Sequence, residues 1–495
     1  MTIRNSVLLV FALLISTDQT SAQYAGAVPA PENLSAGFQS ISEDDSKAFL
    51  STLVSEEFSG RGTGQEGYLK AAKWFAERLA ENGFEPAGTD GSWFQNVPFV
   101  RISVQQEAPT VTFAGTTLVE GKQTGMSRYF GVFEQELPVT IARVGAERPP
   151  ITDGQFSGQL LVVQGPGGFR GDDEWIQKAK PACVLFVVPA ERLRSESVNR
   201  LEEAPLELPS ATISIEGASK LAETCGANAG FFSEGSSYEN VLVQSSRHVA
   251  VHLKIDRESV DVPNVVGWYP GSDESCRHEH VGIGAHLDHL GSQLGDVFPG
   301  ADDNGSGSTA ILQIAKAIHL NPVKPRRSVL LMAFCAEERG LLGSKYYAEN
   351  PLRPLSDMVC MLNIDMIGRN EETDTEPASE NENTIHLVGS KQISEALHNM
   401  VMDANSHVNF VFEYDEERVY TRSDHASFAA KGVPITFLFG GFNPHYHKTT
   451  DTLEGINFAK ICNAARLNYL TLMLAAEHGH FEKNKPAEEE KPAGE

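Results

Sequence analysis

Histidine and carboxylate side chains recur in the C-terminal half of this 495-residue chain, each close to the end of a short apolar run. The five motifs, in chain order, are His286-Leu287-Asp288, Asp302-Asp303, Glu337-Glu338, Asp365 and His445-Tyr446-His447. Catalytic zinc is bound by imidazole nitrogen and carboxylate oxygen and keeps one position open for water. One acidic pair alone is usually a solvated turn. The ordered series predicts instead a hydrolytic site for two zinc ions that share one carboxylate.

The first motif combines a histidine with an aspartate two residues later. His286 ends the apolar run 281–285, so its side chain would enter the site from a rigid strand. Asp288 would lie on the same side of an extended chain, and we expect its carboxylate to accept the other imidazole N–H and fix the tautomer. By the same alternation, His289 would point to the opposite face. On this motif alone, a polar strand end is the alternative interpretation.

Two acidic pairs supply further carboxylates. Asp302 and Asp303 lie in a glycine-rich loop that lets a carboxylate approach two cations, although the pair could instead cap the helix that follows. Glu337 and Glu338 follow an apolar run, and adjacent carboxylates repel each other unless a cation or proton lies between them. One glutamate can therefore bind metal while the other transfers a proton from the metal-activated water to the leaving amine.

The last motifs complete the inventory of ligands. Asp365 ends the apolar run 361–364 and offers another carboxylate, and His447 follows the last predicted strand and offers an imidazole. Tyr446, beside it, could donate a hydrogen bond to an oxyanion.

The motif order resembles the co-catalytic dizinc aminopeptidase family, which includes bacterial leucyl aminopeptidases and glutamate carboxypeptidase. The motifs are His-x-Asp, Gly-x-Asp-Asp-x-x-Ser-Gly, Glu-Glu, Asn-x-Asp-Met and Tyr-His-x-x-x-Asp-Thr. The resemblance assigns five metal ligands, with His286 and Asp365 on one zinc, Glu338 and His447 on the other, and Asp303 as the bridge. It makes Glu337 the general base and gives the segment 423–428 a supporting role.

The resemblance implies an aminopeptidase with two Zn²⁺ per chain, acting on peptides with a free N-terminus. Metal-activated water would attack the scissile carbonyl, with Glu337 as general base and Tyr446 on the oxyanion. A carboxypeptidase or dipeptidase on the same scaffold is an alternative, and it would need a cation such as Arg369, Arg418 or Arg422 for the substrate carboxylate. The same motifs leave open a glutaminyl cyclase, which uses a single zinc, and a non-catalytic binding homologue.

The elements that must position these residues follow from the pattern of residues 256–480. Strand and helix patterns alternate there, which is typical of a mostly parallel twisted α/β sheet flanked by helices, with its ligand site beyond the carboxyl ends of the strands. The resemblance implies the phosphorylase/hydrolase-like version of this fold. Predicted strands are 280–285, 328–333, 358–364, 384–388 and 433–439, and predicted helices are 308–319, 340–349, 392–404 and 458–476.

The rest of the chain divides by composition. Residues 1–22 have the basic, apolar and small-residue order of a secretory signal peptide, which predicts a periplasmic or secreted protein without a transmembrane span. Residues 23–40 are predicted to be a linker, 41–130 the N-terminal part of the peptidase domain, and 256–480 the catalytic domain. Residues 131–255 are β-rich and resemble an inserted protease-associated domain. Residues 481–495 are predicted to be a disordered tail.

Charge and cysteine usage exclude some functions. A formal net charge of -26, from 66 acidic and 40 basic residues, disfavours nucleic acid as a partner because phosphates would be repelled. The six cysteines lack C-x-x-C spacing, which argues against a cysteine-built metal site or a redox motif. Export would permit disulfides, and Cys183 with Cys225 is the candidate pair.

Overall fold

The computed structural model describes residues 23–104, 110–118, 123–126, 131–166, 173–193, 196–200, 208–228, 230–233, 239–293, 295–414 and 417–484. The predicted signal peptide and residues 485–495 of the predicted tail lie outside the described residues. Within the described part of the chain, no helix is both long and apolar enough to cross a membrane.

The strands and helices are numbered in chain order. The strands are β1 (Glu85–Pro86), β2 (Phe94–Val104), β3 (Thr110–Phe113), β4 (Thr116–Leu118), β5 (Thr124–Met126), β6 (Gly131–Arg143), β7 (Leu160–Gln164), β8 (Cys183–Val188), β9 (Glu196–Arg200), β10 (Ser210–Ser214), β11 (Val241–Tyr269), β12 (His280–His286), β13 (Gly291–Gln293), β14 (Asp296–Phe298), β15 (Ser328–Phe334), β16 (Met358–Asp365), β17 (Thr384–Val388), β18 (Val411–Glu413) and β19 (Ile435–Phe439). The helices are α1 (Ser35–Ser40), α2 (Glu43–Leu53), α3 (Glu66–Glu81), α4 (Glu174–Ala179), α5 (Ile215–Thr224), α6 (Gly307–Leu320), α7 (Leu342–Glu349), α8 (Ser390–Ile393), α9 (Glu395–Asn405), α10 (His425–Ala429) and α11 (Phe458–His478).

A mixed sheet in the order β18–β17–β19–β16–β12–β15–β11 carries the predicted site residues. Its four middle strands, β19, β16, β12 and β15, are parallel, and the end of β11 pairs antiparallel with β15. These middle strands are buried along their whole length, which is why their sequences are continuous apolar runs. The predicted mostly parallel α/β sheet is confirmed.

Helices cover both faces of this sheet. Along β15, Val329, Leu331 and Ala333 join the cluster that contains α6 and α11, whereas Leu330, Met332 and Phe334 pack with α7 and α10. All four helices predicted for this region are present, and Ser394 divides the predicted helix 392–404 into α8 and α9. The Ser394 side chain caps α9 by accepting a hydrogen bond from the amide of Leu397.

The inserted region, residues 131–255, has helices as well as strands. Strands β6, β7, β8 and β10 are parallel neighbours, and β11 pairs antiparallel with β6. Side chains of β7 alternate between two apolar clusters, so both faces of this sheet are covered. The long strand β11 therefore joins the inserted region to the main sheet. The resemblance to a protease-associated domain stays a prediction.

Both cysteines of the candidate pair lie in one apolar cluster of the inserted region, yet no disulfide joins them. All six cysteines are buried free thiols. The predicted pairing of Cys183 with Cys225 is therefore wrong for this structure. Burial raises the pKa of both thiols, so they act as small apolar groups.

The two ends of the described chain differ from the predicted linker and tail. Leu34, which directly precedes α1, and Phe38, within α1, are both buried in the main core. Near the other end, Phe481 is also buried and stacks on His478 with ring centroids 4.7 Å apart. Single apolar residues in polar stretches thus anchor both segments.

Candidate metal centre

The carboxyl edge of the main sheet brings the predicted site residues together. His286 and Asp365 are the last residues of β12 and β16, Glu337 and Glu338 lie in the turn after β15, Asp303 lies in the turn Ala301–Ser306 before α6, and Tyr446 and His447 lie in the loop after β19. Side chains from distant parts of the sequence meet here because parallel strands end at one edge.

The first donor cluster contains His286, Asp303 and Asp365. The Nε2 atom of His286 lies 3.2 Å from Asp365 Oδ1 and 3.3 Å from Asp303 Oδ1. Ser423 Oγ donates to Asp365 Oδ2 at 2.8 Å, which fixes the second oxygen of that carboxylate. The segment 423–428 thus supports a predicted ligand.

The second donor cluster lies on the other side of Asp303. His447 Nε2 is 3.1 Å from both Asp303 Oδ2 and Glu338 Oε2. Although burial acts in the other direction, His289 and His447 lower the pKa of Glu338 to about 2. Glu338 is therefore an anionic donor.

Asp303 faces both clusters, one oxygen to each. Oδ1 faces His286, and Oδ2 faces His447. Burial alone would raise the pKa of this carboxyl, but the surrounding imidazoles of His289, His286 and His447 hold it well below its usual range. A carboxylate in this position can bridge two cations, as the resemblance implied.

The neighbouring Asp302 is directed elsewhere. Its Oδ1 accepts hydrogen bonds from the amides of Gly368 at 2.6 Å and Arg369 at 3.0 Å, and its Oδ2 accepts one from Asn443 at 3.0 Å. Asp451, the aspartate of the Tyr-His-x-x-x-Asp-Thr motif, accepts hydrogen bonds from the backbone amides of both Asp302 and Asp303. The loop is thereby held so that Asp303 alone of the pair enters the centre.

Asp288 supports the centre in a different way from the one predicted. His286 Nδ1 donates to the backbone carbonyl of Asp288 at 2.9 Å, whereas the nearest carboxylate oxygen is 3.8 Å away. The carboxylate instead accepts from the Glu337 amide at 3.1 Å and from Thr63 Oγ1 at 2.7 Å. The backbone contact still leaves Nε2 of His286 free to bind a cation. The Asp288 side chain positions Glu337.

His289 is the site residue that sequence reasoning missed. Strand β12 ends at His286, so the alternation used to place His289 on the opposite face no longer applies. In the structure its Nδ1 lies 2.8 Å from Glu338 Oε1 and 3.7 Å from Asp303 Oδ2, within the second cluster. Its position three residues after the proposed ligand His286 was the only available signal.

The chemistry of these donors fits metal ions. Asp303, Glu337, Glu338 and Asp365 are four largely buried carboxylates grouped around imidazoles, and carboxylates in such a site need a cation, a proton or strong hydrogen bonds. Glu338 Oε1 and both ring nitrogens of His289 form no hydrogen bond with any described residue. Nitrogen and oxygen donors of this type suit zinc.

A cleft of about 350 Å³ opens onto the centre. Asp303, Glu337 and Asp365 line its acidic part, and Met366, Val419, Phe437, Phe439 and Phe442 line its apolar part. Tyr446 completes the wall and stacks on His447 with ring centroids 3.8 Å apart. Burial raises the pKa of Tyr446 well above its usual value, so the phenol keeps its proton and can donate a hydrogen bond.

Two of the arginines considered for substrate binding occupy different environments. Arg369 is buried, and its Nε donates to Asp451 Oδ1 at 3.1 Å, so it is part of the loop scaffold. Arg422 lines the cleft, with its guanidinium carbon 5.3 Å from the centre of the Phe442 ring. Arg418, in the turn Glu417–Val419, does not line this cleft.

Fold and site together define an α/β protein with a candidate two-metal centre at the carboxyl edge of its sheet. Residues 264–472, less than half of the chain, match peptidase family M28. That segment contains every predicted ligand.

Individual proteins are also similar to the chain. A probable leucine aminopeptidase of Arthroderma benhamiae is 29% identical over 214 residues, which cover 41% of this chain and 55% of that protein. The chain thus spans about half the length of this curated relative. A solved aminopeptidase from Aneurinibacillus sp. strain AM-1 aligns with a TM-score of 0.57 at 17% identity, covering 92% of this chain and 98% of the other. BSAP, a zinc aminopeptidase from Bacillus subtilis, aligns with a TM-score of 0.59 at 19% identity, covering 90% and 97%. At these identities, the two solved structures show the similarity of fold.

Proposed function

We propose that the protein is an exported zinc-dependent aminopeptidase that removes N-terminal residues from peptides. The observation that carries the proposal is the position of Asp303, whose two oxygens face two donor clusters beside Glu337. The match of residues 264–472 to peptidase family M28 and the aminopeptidases among the similar proteins support the same activity. Export rests on the signal-peptide pattern of residues 1–22.

The proposed ligands are His286 and Asp365 for one zinc, Glu338 and His447 for the other, and Asp303 for both. When bound, two zinc ions would supply Lewis acidity, which lowers the pKa of water toward neutrality and polarises the scissile carbonyl.

Glu337 is the proposed general base. Burial raises its pKa well above the usual value, and the negative charges of Glu338 and Asp365 act in the same direction, so the group has a raised proton affinity. The Asp288 carboxylate accepts a hydrogen bond from the Glu337 backbone amide, and the Glu337 side chain lines the cleft. Glu337 would take a proton from the attacking water and return it to the leaving amine. Tyr446 would donate a hydrogen bond to the carbonyl oxygen as negative charge develops there.

The cleft indicates the substrate class. Carboxylates at its floor would attract the ammonium group of a free N-terminus. The apolar residues of the wall would accept an apolar first side chain, since burial of such a group is favourable. We therefore expect preference for unblocked peptides that begin with a large apolar residue.

Arg422 favours one second candidate, a dipeptidase or carboxypeptidase. Its cation lies at the cleft, where it could bind a substrate carboxylate. Leucyl-anilide, its N-acetylated form, dipeptides and N-acetylated peptides with a free carboxylate would separate the two activities. Cleavage of leucyl-anilide but not of the N-acetylated substrates supports an aminopeptidase, whereas cleavage that requires a substrate carboxylate would replace it with the second candidate.

The role of Glu337 is tested by Glu337→Gln in the mature protein. We expect the variant to retain its zinc and to lose on the order of 10² to 10⁴ in kcat, the usual contribution of a general base. Zinc per chain by plasma mass spectrometry and kcat on leucyl-anilide are the two measurements. Glu338→Gln is the matched comparison and should lose metal. Metal loss in Glu337→Gln together with full occupancy in Glu338→Gln would reverse the two roles.

A further inference from the structure

We infer that His289 is an additional metal ligand, which gives the ion proposed for Asp303, Glu338 and His447 a second imidazole. This inference rests on the proposed function and deepens it. Its evidence is the position of one buried imidazole that the family resemblance left without a role.

The first observation is the relation between His289 and Glu338. Both side chains are almost completely shielded from solvent, and His289 Nδ1 lies 2.8 Å from Glu338 Oε1. Despite this short distance, neither atom forms a hydrogen bond with any described residue. The two atoms therefore face each other without the alignment that a hydrogen bond requires. Two adjacent donors in this arrangement can instead share a cation, and Asp303 Oδ2 lies 3.7 Å from the same Nδ1.

The second observation is that the chain builds a fitted site for this ring. A Cβ atom on Gly300, where φ is +61°, would lie 2.5 Å from Cγ of His289, so only glycine leaves room there. The His289 amide donates to the Arg61 carbonyl at 3.1 Å, and the residue forms a parallel bridge with Gly62. The glycine loop of residues 60–64 thus has a role that its sequence did not show. Backbone on two sides holds the imidazole at the second cluster.

The extra imidazole makes the two donor clusters unequal. The second cluster has two imidazoles and two carboxylates, from His289, His447, Glu338 and the shared Asp303. The first has one imidazole and two carboxylates, from His286, Asp365 and the shared Asp303. Four protein donors are typical of closed zinc sites, whereas three leave a position open for water. The ion bound with His289 should therefore be held more tightly. The open position then lies with the first cluster, whose His286 Nε2 is 4.0 Å from the general base Glu337.

The test is zinc affinity of the mature protein with His289→Ala and His289→Gln. The glutamine variant fills the ring site with a weaker ligand, which keeps the test valid if the alanine variant folds poorly. His445→Ala is the matched control, because His445 is two residues from His447 in sequence and its ring forms a hydrogen bond with Thr450 Oγ1. Zinc per chain is measured during dialysis against graded chelator, and the Co²⁺-substituted proteins are compared by visible absorption.

Wild-type protein and His445→Ala should hold two zinc ions with unequal affinity. Either His289 variant should weaken the tighter ion by on the order of 10-fold or more and change the Co²⁺ spectrum. Two ions held with wild-type affinities and an unchanged spectrum in His289→Gln would overturn the inference and leave the proposed function intact. Absence of zinc from the wild-type protein would overturn both.

Discussion

At the scale of single residues, two neighbouring aspartates show how one loop separates a scaffold role from a proposed ligand role. Asp302 uses its carboxylate to accept backbone amides and an asparagine side chain, whereas Asp303 directs its oxygens at two donor clusters. The two residues have the same chemistry, so their backbone positions decide their roles. The Asp451 carboxylate fixes this backbone, because it accepts hydrogen bonds from the amides of both Asp302 and Asp303.

This difference predicts opposite results for two isosteric substitutions. Asp303→Asn should lower zinc occupancy at both positions, because an amide removes the negative charge that both ions would share. Asp302→Asn should retain zinc, since its remaining oxygen can still accept the amides of Gly368 and Arg369. Zinc per chain after dialysis without chelator measures both. A fully loaded Asp303→Asn protein, or a zinc-free Asp302→Asn protein, would exchange the two roles.

How far the sequence predicted the centre depends on whether a residue lies on a regular strand. His286 and Asp365 end buried parallel strands, and the apolar runs before them locate those ends. His289 and the Asp288 carboxylate lie beyond the strand end, where side chains no longer alternate between the two faces of a sheet. Their partners are the loop of residues 60–64 and Glu337, which local pattern cannot bring near them.

At the scale of elements, the bounds of single strands could be predicted from the sequence, whereas the order of the strands in the sheet could not. The prediction for strand 384–388 agrees with β17, and the four middle strands of the sheet were placed to within two residues, because fully buried strands have continuous apolar sequences. Their order in the sheet depends on which strands pair across long separations, and no local pattern encodes that. Helix α1 was missed because Phe38 is its one large apolar residue, and the other buried apolar residue, Leu34, directly precedes the helix.

Arg61 links the N-terminal helices to the loops of the candidate metal centre. It is fully buried, and its guanidinium donates to the carbonyls of Leu53, Leu287, Pro299 and Gly300 at 2.7 to 2.8 Å. Leu287 lies between His286 and Asp288, and Pro299 and Gly300 directly precede the turn Ala301–Ser306, so three of these acceptors belong to loops of the candidate centre. The flat, five-donor guanidinium group suits four carbonyls at once.

Replacement of this cation should destabilise the apoprotein. We expect Arg61→Met to lower the free energy of unfolding by on the order of 3–5 kcal/mol, because buried carbonyls lose charge-assisted hydrogen bonds. Arg61→Lys should lose less, since it keeps the charge but satisfies fewer acceptors. Urea unfolding in the presence of chelator excludes the contribution of metal. Equal transition midpoints for the wild type and Arg61→Met would show that these bonds contribute no net stability.

At the scale of the whole molecule, acidity and buried histidines respond to pH in opposite directions. The net charge of -26 means that protonation of surface carboxylates relieves repulsion as the pH falls. A buried neutral histidine has the reverse effect, because the unfolded chain can bind a proton that the folded chain resists. His280 is such a residue, at the start of β12 and packed edge-on against Trp268 with ring centroids 5.6 Å apart.

His280→Phe separates the two contributions. Burial lowers the pKa of His280 from 6.5 to about 4, so wild-type stability attributable to this residue is lost as the pH falls from about 6.5 toward 4. The phenylalanine variant has no such proton uptake, while surface charge and metal ligands are unchanged. Relative to the wild type, it should therefore gain about 2 kcal/mol between pH 8 and pH 5. Urea unfolding of both proteins at the two pH values, each in chelator, gives this difference directly. A difference that does not change with pH would mean that His280 titrates alike in the folded and unfolded chains, in which case the acid response would have to come from other groups.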